Sequence, residues 1–485
     1  MTGSIGGRLA AGSVARSLIA VLGITLAPSA SSADTWTDGY FGISVGADLL
    51  TGDATISQSQ ADFFSVFEGE ADVSTPIGGN IGVSLTAGAD YQINQLFVVG
   101  AFVSYDWSNI ENGVDISADT GDTAFLDLVD VRSVWTVAAR AGVLVSPTTL
   151  FYGLAGYSWL DVDDLEAGIN SAFLTQNFKI DLPSSEGLTV GGGVEYKLGS
   201  RVSLRAEYRY TNFGRETLAE MPGLGLTATG EAESHSARIG AFYRLGVDDN
   251  ETSDSETVTD PAKRWRGVHA GFGIGLDAYD RELDASAEVF GFGADASAEG
   301  IGGGNMTATV LGGYDIPLTS HIVAGVLASA DWSATESSLD MSVALTEIDT
   351  LTGAPIQVDG GRVSAELLNL DYSWTIGGRL GYAAGSDLLV YGLLGYTRAQ
   401  FKDISFGVDG CTCLAFDMPS LDGVTVGGGF EKFLTDRISL KAEYRYTDLE
   451  AFGETLDLDL FGFGYEIDTD IHAAKLLLNY RFGGP

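Results

Sequence analysis

Four histidines, His235, His269, His321 and His472, are the side chains best suited to base chemistry in this 485-residue chain. Acyl cleavage or transfer would need such a base beside a serine and a carboxylate or amide partner. His235 and His472 stand at equivalent places near the outer end of a last strand, with the parity of Ala237 and Ile239, and are expected to face lipid or headgroups. That favours a rim position over catalysis, and no neighbouring residue supports porphyrin ligation. Gly191-Gly192-Gly193 and Gly427-Gly428-Gly429 lack the lysine and serine or threonine of a phosphate loop. They read as glycines that let a tight sheet bend. Cys411 and Cys413 are the chain's two cysteines. In an oxidising compartment they would form a local disulfide, and two thiolates are too few to hold a metal. No catalytic, cofactor or metal-binding residue is expected.

The elements that carry these residues must suit a composition of 45% hydrophobic and 19% charged residues, with 65 glycines, 10 prolines and a formal net charge of -40. So much apolar and aromatic content excludes a disordered acidic tail, and so much acid excludes a nucleic-acid binder. Arg8 and Arg16, an apolar run from Leu18 to Ala27, and Ser31-Ser32-Ala33 predict a signal peptide over 1–33. No later segment is long and apolar enough for a transmembrane helix, so a membrane position would be reached by strands.

The chain repeats itself. GLTVGGGVEYKLGSRVSLRAEYRYT at 187–211 returns as GVTVGGGFEKFLTDRISLKAEYRYT at 423–447, and LFYGLAGY returns as LVYGLLGY. Trp36 matches Trp265, Asp106 matches Asp331, and His235 matches His472. Two domains are expected, 34–246 and 265–485, joined by an acidic linker over 247–264. Each shows period-two alternation: Val202, Leu204, Ala206, Tyr208 and Tyr210 share one face, and Ser203, Arg205, Glu207, Arg209 and Thr211 the other. Eight such strands fit per copy, at about 39–50, 79–91, 96–107, 132–145, 150–160, 187–198, 202–213 and 233–246 in the first. Long connections (51–78, 108–131, 161–186, 214–232) alternate with turns of three or four residues. Strands of about ten residues, an even count and long loops on one side describe a transmembrane β-barrel, which must close because hydrocarbon cannot satisfy a strand edge.

Trp36-x-x-Gly39-Tyr40-Phe41-Gly42, the run Ala206 to Thr211 and the terminal Asn479-Tyr480-Arg481-Phe482 resemble the porin-family small outer-membrane proteins of Gram-negative bacteria, with their outer-membrane protein A type barrel. The likeness extends over nearly the whole exported chain, once per copy. It implies a structural and surface role in the outer membrane, insertion by the outer-membrane assembly machinery, and contact with lipid and lipopolysaccharide. Family members usually carry one barrel and end on an aromatic residue, whereas Gly483-Gly484-Pro485 follows Phe482 here. With the last strand at the end of the sequence, a peptidoglycan-binding domain is not expected.

Sixteen strands could close as two eight-stranded barrels or as one sixteen-stranded porin for small hydrophilic solutes; only the wide ring encloses an aqueous channel. A spacer of some 18 residues is far longer than the other turns, which favours two barrels, all-β and antiparallel. Inward parity assigns a lumen set of Asp90, Asp106, Arg140, Glu195, Arg205, Glu207, Arg209 and Arg238 to the first copy. The second repeats it with Asp315, Asp331, Arg379, Glu431, Lys441, Glu443, Arg445 and Lys475. Mixed signs let each set neutralise itself and plug a narrow lumen. Tyr40, Tyr105, Trp107, Trp135, Tyr157, Trp159, Tyr208 and Tyr210, with Trp332, Trp374 and Tyr396, are expected in interfacial belts. The acids Glu111, Asp115, Asp119, Asp122, Asp127 and Asp130 in one loop, and Asp161, Asp163, Asp164 and Glu166 in the next, read as solvated charge, with divalent-cation bridging to lipopolysaccharide phosphates as the sharper alternative.

Overall fold

A computed structural model describes residues 36–245 and 260–482, apart from short breaks in the long loops and single residues in two turns. The signal segment 1–33 and most of the linker lie outside the described residues. The first copy contributes β1 (Asp38–Gln58), β2 (Phe67–Gln92), β3 (Phe97–Ser108), β4 (Gly113–Ala118), β5 (Thr123–Asp127), β6 (Val131–Ser146), β7 (Thr149–Val162), β8 (Leu165–Asn170), β9 (Thr175–Ile180), β10 (Ser185–Lys197), β11 (Val202–Met221) and β12 (Leu226–Arg244). A 3-10 turn, Pro261–Trp265, precedes the second copy. There follow β13 (Gly267–Val289), β14 (Phe292–Glu299), β15 (Gly303–Pro317), β16 (Ile322–Ser333), β17 (Ser338–Ile348), β18 (Pro355–Glu366), β19 (Leu370–Ala384), β20 (Leu388–Phe401), β21 (Ile404–Val408), β22 (Cys411–Phe416), β23 (Ser420–Phe433), β24 (Ile438–Leu458) and β25 (Phe461–Phe482).

Two antiparallel rings result. β1, β12, β11, β10, β7, β6, β3 and β2 pair in that order, and β2 returns to β1. β15, β16, β19, β20, β23, β24, β25 and β13 do the same, and β13 returns to β15. The sixteen strands therefore form two barrels of eight and not one wide pore. Side-chain alternation explains the closure. On β11, Ser203, Arg205, Glu207 and Arg209 are buried, while outward residues such as Phe41, Ile43, Val190, Phe272, Ile274 and Val326 are all more than half exposed. An apolar coat of this extent is unsuited to water and matches acyl chains. Turns on the other side are tight: Gly199 and Gly385 take φ of 85° and 73°, which a side chain would oppose.

Three expectations change. First, the long connections are largely strand. A membrane crossing needs about 9–11 residues, yet β1 has 21 and β2 has 26, so the hairpins continue beyond the bilayer. Second, β4, β5, β8 and β9 of the first copy extend β14 of the second, and β17, β18, β21 and β22 of the second extend β2 of the first. A polar strand needs an edge to pair with, and here that edge belongs to the other half. Third, the acidic linker is shorter than 247–264, because Pro261, Ala262 and Trp265 are buried against the second barrel. Trp265 packs 4.4 Å from the Phe433 ring, so its copy starts with a stopper at the turn end. Trp36 does the same in the first barrel, where its indole donates to the Pro147 carbonyl at 3.0 Å.

The barrels also touch side by side. Ala47 and Leu49 of β1 share a buried cluster with Leu276, Ala278 and Ala474. Val194, Tyr196 and Ala206 share another with Leu388, Phe430, Leu440 and Ala442. Lys432 lies 4.1 Å over the Tyr196 ring, and Asn80 donates to Asp280 across the seam at 2.8 Å.

Candidate functional site

Each lumen is filled by ionised side chains that the ladder registers bring to common levels. In the first barrel, Arg140, Arg205 and Arg244 converge on Asp38, Asp90 and Glu195. Arg140 meets Asp90 at 2.6 Å and Glu195 at 2.8 Å. Arg205 reaches Glu195 at 2.8 Å, and Arg244 reaches Asp38, Asp90 and Glu195 at 2.6, 2.7 and 2.6 Å. Rings complete the plug. The Arg140 guanidinium lies 4.7 Å from the Tyr40 centroid and 4.9 Å from Tyr152, and Arg205 lies 3.7 Å over Phe242. Nearer the outside, Arg209 bonds Glu207 at 2.6 Å, while Arg238 forks between Asp48 and Asp106. Tyr152 donates to Glu207 at 2.5 Å. A Cβ on Gly193 would lie 2.5 Å from that hydroxyl, which explains the last glycine of the triple run.

The second lumen follows the same plan. Arg379 bonds Asp315 at 2.5 Å and Glu431 at 2.8 Å. Arg481 reaches Asp315 at 2.9 Å. Lys441 and Arg445 flank Glu443 at 2.7 and 2.6 Å, and Lys475 meets Asp331 at 2.7 Å. A hydroxyl ladder crosses each barrel above the charges: Thr136, Ser158, Thr189 and Thr211 in one, and Thr375, Thr397, Thr425 and Thr447 in the other. Burial without pairing would expel these charges, whereas the ion pairs keep them in place and leave a packed interior.

All sixteen lumen residues expected from parity are buried. Asp38, Asp48, Asp277, Arg244 and Arg481 join them, together with His269, whose Nε2 lies 3.4 Å from Asp315. Arg244 stands six residues after Arg238, and Arg481 six after Lys475, so the same even spacing could have found both. Tyr40 is a correction: it sits inside the barrel, 2% exposed, because it shares the parity of Asp38 and not that of Phe41. Trp107, Trp135, Trp332 and Tyr396 do face outward.

His235 and His472 face away from the lumens, but His472 is 6% exposed and does not meet headgroups. It pairs in register with Ala278, a seam residue, so the neighbouring barrel covers it. Tyr444 shares a hydrogen bond with its Nδ1 at 2.8 Å, as Tyr208 does with His235 at 2.7 Å. Neither histidine has a described serine partner. Among the described residues no group of three or more potential ligands could hold a metal ion. Cys411 and Cys413 lie on β22, but their side chains fall outside the described ones.

Some of the loop acids are paired, Asp163 with Arg132 among them. Lys179 bridges Asp164 and Glu166 at 2.9 and 2.5 Å, and these bonds hold its ammonium well above the usual lysine range. Partial burial, then the charges of Asp130, Asp115 and Glu166, push the Asp127 carboxyl above its ordinary 3.8. A raised carboxyl favours pairing of this segment at low pH, and the benefit fades as pH rises through the shifted value. Carbon-13 titration should place the Asp127 midpoint above 3.8, and Asp130→Asn should bring it down. A native midpoint at or under 3.8 would refute the crowding.

Comparison with known proteins agrees with the geometry. The model of the outer membrane protein beta-barrel domain matches twice, over residues 17–244 and 257–482. The chain belongs to this family. Its location is the outer membrane. It is 27% identical to the 31 kDa outer-membrane immunogenic protein of Brucella melitensis over 225 residues, 45% of this chain and 88% of that protein. It is 28% identical to the 22 kDa outer membrane protein of Rhizobium leguminosarum bv. viciae over 229 residues, 47% of this chain and 82% of that protein. Among solved structures, the attachment invasion locus protein Ail of Yersinia pestis matches 43% of the chain and 99% of its own, at 14% identity and a TM-score of 0.21. The toluene transporter TodX of P. putida matches 92% and 91%, at 12% and 0.26.

Proposed function

We propose that the protein is a structural, surface-displaying component of the outer membrane and neither a diffusion porin nor an enzyme. The observation that carries this reading is the interior of both barrels, where arginines, lysines and carboxylates pair with one another between a tryptophan at one end and a hydroxyl ladder above. No continuous aqueous path suits such packing. Long hairpins with an acidic coat supply the exposed surface, and lipopolysaccharide, bridged through divalent cations to the loop carboxylates, is the partner of choice. The name of the Brucella relative, an immunogenic outer-membrane protein, supports surface display. Residues 1–33 would be removed on export.

The reading predicts that the purified protein in a planar bilayer gives no steady conductance steps at neutral pH. Regular single-channel currents from a protein whose barrels are both folded would reject it in favour of a pore. Replacing His235 and His472 by alanine should leave the lipid composition of the host membrane unchanged.

A further inference from the structure

We infer that the duplication has fused a two-fold dimer into one chain: each barrel is the docking partner of the other, and each completes the other's outer sheet. The seam is self-complementary. Ala47 and Leu49 cluster with Leu276 and Ala278, which occupy the same places in the second copy, and Ala206 shares the neighbouring cluster with its own counterpart Ala442. Gly-Gly-Asn occurs twice at matching positions, 78–80 and 303–305. A Cβ on Gly79 would collide with the Gly303 carbonyl and stand 3.1 Å from the Ala278 Cβ. On Gly304 it would stand 2.9 Å from Leu49. Use of equivalent patches on both partners is the mark of an isologous contact. Inside a bilayer, where lipid is as apolar as the protein, close approach of small residues is what favours association.

Loop exchange obeys the same symmetry. The second and third long loops of the first copy, β4–β5 and β8–β9, build on the first long loop of the second through β14. The second and third long loops of the second copy, β17–β18 and β21–β22, build on β2 of the first. A fused dimer explains both facts together, and it does not depend on whether the lumens conduct.

The test keeps the full chain. A specific protease site placed within residues 250–259 is cut after the protein has been folded into vesicles. The halves should stay together in mild detergent and be recovered through a tag on one of them, and Gly79→Trp should lower that recovery about tenfold while both barrels keep their heat-shifted mobility. Separation of the native halves on cutting, or undiminished recovery with Gly79→Trp, would overturn the docked seam. Exchange is read independently. The backbone N–H of Asp119 donates to the Gly293 carbonyl at 2.9 Å, which makes Ala118 and Ala294 a pair without mutual hydrogen bonds, their Cα atoms about 4.5 Å apart. With Cys411 and Cys413 replaced by serine, Ala118→Cys and Ala294→Cys should join the cut halves on a non-reducing gel. The control pair Ser117→Cys and Thr123→Cys, within one hairpin, should leave them separate. If the control oxidises and the first pair does not, the exchange is wrong.

Discussion

Arg244→Leu is expected to destabilise the first barrel by about 3–5 kcal/mol, the usual result of removing one partner from a buried ion cluster. Arg244 alone touches Asp38, Asp90 and Glu195, and its side chain and those of Asp90 and Glu195 are fully buried. Without it Arg140 and Arg205 still serve Asp90 and Glu195, but Asp38 loses its only described ion pair. The stopper loosens as well, since the guanidinium lies 4.7 Å over the Trp36 ring. Because the rings are separate, the loss should be confined to one of them. Heating in detergent should therefore give a band of intermediate mobility, with one barrel open and the other closed. Arg244→Lys should fall between the two, because a point charge cannot fork to three carboxylates. Loss of both barrels at a single lowered temperature would contradict independent rings.

The contents of the barrels were legible because alternation in a spanning strand is enforced twice, by hydrocarbon outside and ion pairing inside. A charged residue such as Glu195 or Arg205 has one face available, and its parity names it. Tyrosine has two, since its ring suits a headgroup belt or a guanidinium-lined core, so Tyr40, buried among arginines, and Tyr105, packed against outward-facing Trp135, look alike in sequence and part company in space. Beyond the bilayer neither constraint acts. The segments 113–127 and 338–366 alternate weakly, and what makes them strands is an edge some 170 or more residues away in the other half: Ala118 opposite Ala294, Ser74 opposite Asp340. A partner of that kind is invisible to reading one copy at a time. The seam was hidden for a similar reason, because Ala47, Ala206 and Ala278 read as ordinary lipid-facing positions until the second barrel is set against them.

Divergence between the copies gives the second large effect. In the first barrel Arg238 places one nitrogen 2.8 Å from both oxygens of Asp48 and turns another to Asp106. Gly82 opposite leaves the room, for a Cβ there would overlap the Asp48 carboxylate. At the matching places the second barrel has Lys475, Asp277, Asp331 and Thr307. The Lys475 ammonium takes Asp331 at 2.7 Å, and Asp277, 2% exposed, accepts from the Thr307 hydroxyl at 3.3 Å instead of from a cation. A hydroxyl has replaced half of a guanidinium fork. Exchanging Lys475 for arginine together with Thr307 for glycine should rebuild the first barrel's arrangement and raise the second barrel's stability by about 1.5–3 kcal/mol, the worth of hydrogen bonds to a charged group. Arg238→Lys should lower the first barrel by a similar amount, since Gly82 supplies no substitute donor. Denaturant titrations of the parent chain, the double exchange and Arg238→Lys, with each barrel followed through its own gel band, decide the matter. If the double exchange weakens the second barrel, the threonine is a better partner for a buried carboxylate than the missing fork, and the asymmetry reflects refinement and not loss.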